Sequence, residues 1–103
     1  MFVVIFEVRP KAGKADTYFE RASELRPLLE AMDGFISIER FESVGEPGKF
    51  LSLSFWRDAE AAAAWRNVAE HRLAQEEGKR DLFEDFRITV ADVARSYDMA
   101  STL

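Results

Sequence analysis

His71 is the one side chain in these 103 residues whose unperturbed pKa lies near neutrality, which makes it the natural candidate for a general base. It stands in a polar stretch, Glu70-His71-Arg72, with Asn67 and Gln75 one helical turn away on either side. On a helix these three make a polar ridge that either takes a proton from a phenolic substrate or is simply solvated. Trp65 precedes His71 on the same expected helix. Six residues at about 100° each leave the two side chains about 120° apart. Both face one cavity only if the helix bends near 67–69 or the cavity wraps around it. Tyr18 carries a phenol O–H that could reach a ligand, with packing as its plainer role, and Trp56 reads as structural or interfacial before it reads as a pocket residue. Glu7, Glu39 and Asp92 fall on strands, where ion pairs with Arg9, Arg40, Arg87 or Arg95 are the simpler expectation than paired acid–base carboxylates. The run from Glu76 to Asp81 mixes signs and reads as a solvated helix end.

The composition removes several chemistries. There is no Cys, which excludes disulfides, thiolate nucleophiles, iron–sulfur clusters and Cys-ligated zinc. A single His excludes a two-His metal site within one chain, so no metal is expected. Nineteen acidic residues against fourteen basic give a net charge of −5, unsuited to nucleic acid or to an anionic membrane surface. No apolar run approaches the ~20 residues that span a bilayer. The start, Met1 to Glu7, lacks the features of a signal peptide, so a cytoplasmic location is the expectation.

The elements that must position these residues follow from periodicity. Residues 2–9 alternate as a strand ended by Pro10. Tyr18, Ala22, Leu25, Leu29 and Met32 form one apolar stripe on a helix over 14–32, which Pro27 should kink or shorten and Asp33-Gly34 should stop. Strands follow over 35–43 and 49–56, joined by a hairpin loop containing Gly45, Pro47 and Gly48. Asp58 is a good N-cap for a second helix over 59–77. Residues 81–86 read as a short helical or irregular piece, 87–97 as the last strand, and the end as frayed. The order β-α-β-β-α-β predicts one domain over 1–103, an α+β ferredoxin-like fold with a four-stranded antiparallel sheet and two helices on one face.

Both faces of that sheet read as apolar. One is expected to carry Phe2, Val4, Phe6, Val8, Ile36, Ile38, Leu51, Leu53 and Phe55. The other would carry Val3, Ile5, Phe35, Phe41, Phe50, Trp56 and Val93. The helices cover one face, and a second copy of the chain is the expected cover of the other, giving a homodimer with sheets packed face to face.

Four stretches carry a family resemblance: Phe2 to Val8, Met32-Asp33-Gly34-Phe35-Ile36-Ser37, Phe55-Trp56-Arg57-Asp58-Ala59-Glu60-Ala61 with Trp65, and Phe86 to Val93. Together they make the sequence similar to the antibiotic biosynthesis monooxygenase family of dimeric α+β barrels. The resemblance implies a small monooxygenase that uses no cofactor and acts on an aromatic phenol or quinol. It implies that Trp65 lines the pocket. Beside it, the residues themselves offer His71 as the candidate catalytic base and Trp56, Asn67 and Tyr18 as candidate substrate contacts. A non-catalytic ligand-binding or stress-response module of the same fold is the alternative. The haem-degrading branch is less well matched: Glu7 stands where its Asn is expected, and Gln75 at the offset of its His.

Overall fold

In the computed structural model, residues 1–75 and 82–102 are described, side chains 72–75 and 102 excepted. The elements are β1 (Phe2–Pro10), α1 (Ala15–Glu30), β2 (Phe35–Glu42), β3 (Phe50–Trp56), α2 (Ala59–Gln75), β4 (Phe83–Asp92) and a short α3 (Met99–Thr102). The strands form one antiparallel sheet in the order β2-β3-β1-β4. This is the ferredoxin-like α+β arrangement that the periodicity predicts.

The boundaries differ where tertiary pairing outweighs local preference. Residues 83–86 are strand, because Val8 pairs with Phe86 and Pro10 with Phe83. β4 ends at Asp92, opposite Phe2, where β1 itself begins; beyond it only the Val93 N–H donates to the Met1 carbonyl. Residues 99–102 form a turn of helix rather than a frayed end, closed by Asp98 and Ser101 exchanging hydrogen bonds. Pro27 lies inside α1, which continues to Glu30. The run 76–81 falls outside the described residues.

Register corrects the expected faces. Phe2 pairs with Trp56, Val4 with Ser54, Phe6 with Ser52 and Val8 with Phe50. The even-numbered residues of β3, not Leu51, Leu53 and Phe55, therefore join Phe2, Val4, Phe6 and Val8 under the helices. An irregularity between Phe35 and Ser37 moves Phe35 to that side as well, where its ring meets Trp56 edge-on at 5.5 Å, and leaves Ile36 exposed. A one-residue slip inverts a strand's faces, and strand parity is set by partners far along the chain. The uncovered face nonetheless stays apolar: it holds Val3, Ile5, Leu51, Leu53, Phe55 and the exposed Phe41.

Two apolar clusters fill the helix–sheet layer. One centres on Val4, Leu29, Trp56, Ala61 and Ala62. The other centres on Val8, Tyr18, Leu82 and Phe83, with Phe6, Phe19, Phe50 and Phe86 around it. The turn into β2 passes so close to α2 that a Cβ on Gly34 would lie 2.5 Å from the Ala61 Cβ. With φ at +83°, Gly34 is required there for both space and backbone conformation. Its carbonyl accepts the Arg57 N–H at 2.8 Å, fixing the start of α2 against the end of α1.

Candidate functional site

A cavity of about 220 Å³ lies between the helices and the sheet, taking walls from both clusters. Val4, Phe6, Ile38, Ser52 and Ile88 form its floor. Tyr18, Phe19, Ala22, Leu25 and Leu29 of α1 form one side, Trp65 and Ala69 of α2 the other, and Leu82 and Phe83 close an end. Small residues explain the space: Ser52 on the floor and Ala22 and Ala69 on the helices stand where larger side chains would fill the layer. The aromatic walls are interlocked. Phe19 meets Phe50 edge-on at 4.8 Å, and Tyr18 meets Phe83 edge-on at 5.8 Å.

The polar lining is of one sign. Arg21, Arg26, Arg40 and Arg66 line the cavity together with Ser23 and Ser52, and no Asp or Glu does so among the described residues. Arg21, Arg26 and Arg66 are each paired with a glutamate of their own helix, which leaves Arg40 as the positive charge without a carboxylate partner among the described residues. The Arg40 guanidinium carbon lies 5.5 Å from the centre of the Tyr18 ring and 6.0 Å from that of Phe19. Burial pushes the Tyr18 phenol above its ordinary pKa, while the Arg40 charge and hydrogen bonding pull in the other direction. The phenol is thus a neutral donor at physiological pH.

Of the residues singled out from the sequence, Trp65 and Tyr18 meet at this cavity. His71 and Asn67 are exposed and do not line it. The cause is the continuity of α2 from Ala59 to Gln75, which keeps the angle between Trp65 and His71 near the ideal value of about 120°. Asn67 instead accepts a hydrogen bond from Arg66 at 3.5 Å. Trp56 is fully buried in the core and off the cavity lining, its indole N–H donating to Ser54 Oγ at 2.9 Å. It stacks on Trp65, ring centres 6.1 Å apart and planes 19° apart, and so serves as backing for a cavity residue. Glu7 pairs with Lys49 at 3.6 Å on the uncovered face, and Arg9 pairs with Glu46. Arg40 was legible only as an ion-pair partner; a basic residue in phase with Ile38 on a half-apolar strand is the signal that marks it. No group of three or more metal-ligating side chains occurs among the described residues.

An antiparallel ferredoxin-like sheet under two helices, with an aromatic cavity between the layers, defines the architecture of this chain. The sequence model of the antibiotic biosynthesis monooxygenase family matches residues 1–77, and the chain belongs to that family. It is 47% identical over 96 residues to the jasmonate monooxygenase ABM of Pyricularia oryzae, a match covering 93% of this chain and 45% of the relative. The chain thus spans less than half the length of that protein. It is 29% identical to the uncharacterized protein YqjZ of Bacillus subtilis, covering 91% of this chain and 80% of the relative. A crystal structure from Deinococcus radiodurans, provisionally assigned to the same family, superposes with a TM-score of 0.79 at 17% identity. That superposition covers 96% of this chain and 98% of the other. None of the helices among the described residues is long and apolar enough to cross a membrane.

Proposed function

We propose that this chain is a small monooxygenase that oxidises an electron-rich phenol- or quinol-type molecule in the aromatic cavity, the substrate's own electrons reducing O₂. The observation that carries this reading is the cavity itself, apolar, aromatic-walled and lined by Trp65 and Tyr18, in a chain of a monooxygenase family. Loss of the substrate hydroxyl proton to bulk solvent before binding makes the ring a reductant. In a substrate whose ring also carries an activated methylene, as an anthrone does, that carbon takes one oxygen atom of O₂ to become a carbonyl, and the other oxygen leaves as water with the two methylene hydrogens, the hydroxyl proton being regained from solvent on release. The Arg40 charge favours the substrate anion, and the Tyr18 O–H and Trp65 N–H are donors for developing negative charge on oxygen. The apolar walls exclude water from the reacting centre. His71, exposed and off the cavity, has no part in this step. The relative from Pyricularia oryzae favours a second reading, in which jasmonate is the substrate. Oxygen insertion into an aliphatic C–H bond needs two electrons from an added donor.

Oxygen uptake separates the two. Consumption with an anthrone or quinol in buffer alone, abolished by filling the cavity with Ser52→Leu, supports the first reading. Consumption only with jasmonate and an added reductant supports the second. No consumption with either leaves the ligand-binding module. The functional unit we propose is a homodimer in which a second copy covers Ile5, Leu51, Leu53 and Phe55. Sedimentation at low micromolar concentration should give twice the 11.8 kDa chain mass. Ile5→Glu, which puts an unpaired charge into that face, should give monomer.

A further inference from the structure

The four arginines around the cavity are not equivalent. Arg21 pairs with Glu24 at 3.6 Å, Arg26 with Glu30 at 2.8 Å and Arg66 with Glu70 at 4.0 Å, each within one turn of its own helix. Arg40 projects from β2 and makes no ion pair with a carboxylate among the described residues. Its guanidinium lies over the rings of Tyr18 and Phe19, which anchor it from the face. Part of its hydrogen bonding is directed at the Tyr18 phenol, and the remaining N–H donors lie in one plane with the spacing of a carboxylate's two oxygens.

Its position adds a second constraint. Arg40 is partly solvent-exposed, whereas the walls behind it at Val4, Leu29 and Phe83 are buried. A ligand reaching from Arg40 into the cavity would therefore place its charged end near water and its body among apolar side chains. Charge held at such a mouth escapes the full desolvation penalty of a buried ion. The absence of Asp and Glu from the described lining removes repulsion along the way.

We infer that Arg40 is the specificity-determining residue of the cavity and that it selects small apolar organic acids by holding their carboxylate at the cavity mouth. This rests on the cavity being the substrate site, and it narrows the substrate class to molecules with an apolar body and one carboxylate. The guanidinium binds both carboxylate oxygens, and the body of the acid lies against Phe6, Leu25 and Trp65.

The test is calorimetric and independent of turnover. Jasmonate and 2-naphthoate, each beside its methyl ester, are titrated into wild-type protein, Arg40→Gln, Arg40→Lys and, as a control off the cavity, Arg9→Gln at neutral pH. Wild type should bind each acid roughly tenfold or more tightly than its ester, the scale of a charge-assisted hydrogen-bond pair. That preference should vanish in Arg40→Gln, survive only in part in Arg40→Lys, and persist in Arg9→Gln. If Arg40→Gln does not fold, the wild-type acid-to-ester ratio and its reduction in Arg40→Lys carry the same decision. Equal binding of acid and ester by wild type, or a preference that survives loss of Arg40, overturns the inference and leaves the cavity reading standing. If neither acid nor ester binds, and 2-naphthol does not bind either, the cavity is not a ligand site and both readings fall.

Discussion

Ser54 and Ser52 stand two residues apart on the same face of β3, yet one lies in the most completely filled part of the molecule and the other on the floor of its cavity. Ser54 is 1% exposed; it accepts the Trp56 indole N–H and donates to the Val4 carbonyl at 3.3 Å. Trp56 fills the space above, made possible by Ala61 and Ala62 on α2. Ser52 lies between Phe6 and Arg40 in the register, on the cavity that Trp65 borders from α2. The same small polar residue therefore supports a closed core at one point and an open site at the next. What differs is the aromatic beside each: Trp56 closes over Ser54 and bonds it, whereas Phe50, beside Ser52, packs against Tyr18 and Phe19.

Removing the filler is the strongest way to break this contrast. Trp56→Ala should cost about 3–5 kcal/mol, the usual range for emptying a large aromatic site. It also strips Ser54 of a hydrogen-bond donor and Trp65 of its stacking partner. Urea unfolding followed by circular dichroism should show the loss. Under the same conditions Trp65→Ala should cost clearly less, because Trp65 already borders open volume. Equal losses would mean that the two tryptophans share one closed core.

A substitution that adds volume gives the next largest difference. Ser54→Leu overfills a packed site and should cost about 1–3 kcal/mol. Ser52→Leu grows into the cavity, so its effect on the unfolding midpoint should be small while ligand binding and oxygen uptake are lost. Destabilisation by both variants to the same extent would show that the cavity does not accept a side chain.

Much of this contrast was hidden in the sequence for a definite reason. The element order, the N-cap at Asp58 and the turn at Gly34 are local signals, and they were legible because capping, left-handed backbone and hydrophobic period act within a few residues. The Asp58 cap is seen directly in the Ala61 N–H donating to Asp58 Oδ1 at 2.9 Å. Which side of the sheet Ser52, Ser54 and Trp56 face was not legible, since β3 carries large apolar residues on both sides, Phe50 and Trp56 on one and Leu51, Leu53 and Phe55 on the other, and its parity is fixed by β1. Trp65 was legible as a cavity residue through the family resemblance, and Tyr18 as a phenol able to reach a ligand. His71 was drawn in by its pKa, although the same spacing already placed it about 120° from Trp65.

The smallest expected effect separates the two ends by pH. Near Trp56, Arg57 holds Asp33 through two hydrogen bonds, at 2.9 and 3.2 Å, and Asp58 through one at 2.9 Å. These contacts, with the Ala61 N–H on Asp58, keep both carboxyls below their ordinary value of 3.8. A carboxyl whose folded pKa is depressed contributes stability above its unfolded pKa and loses it as pH falls through the folded one. The clamp at the Trp56 end should therefore weaken as pH drops below about 4, the ordinary carboxylate range. Because both carboxyls are solvent-exposed, the effect is a modest shift in urea midpoint, and Asp33→Asn should reduce it. At the cavity end Tyr18 has the opposite sign. Burial raises its folded pKa above 10.0, so its contribution is complete below that value and declines as pH rises through the raised folded pKa. Tyr18→Phe should flatten the alkaline side of the stability profile and leave the acid side unchanged, with Asp33→Asn doing the reverse. A single variant that altered both limbs would show the two ends unfolding as one titrating unit and remove the distinction between them.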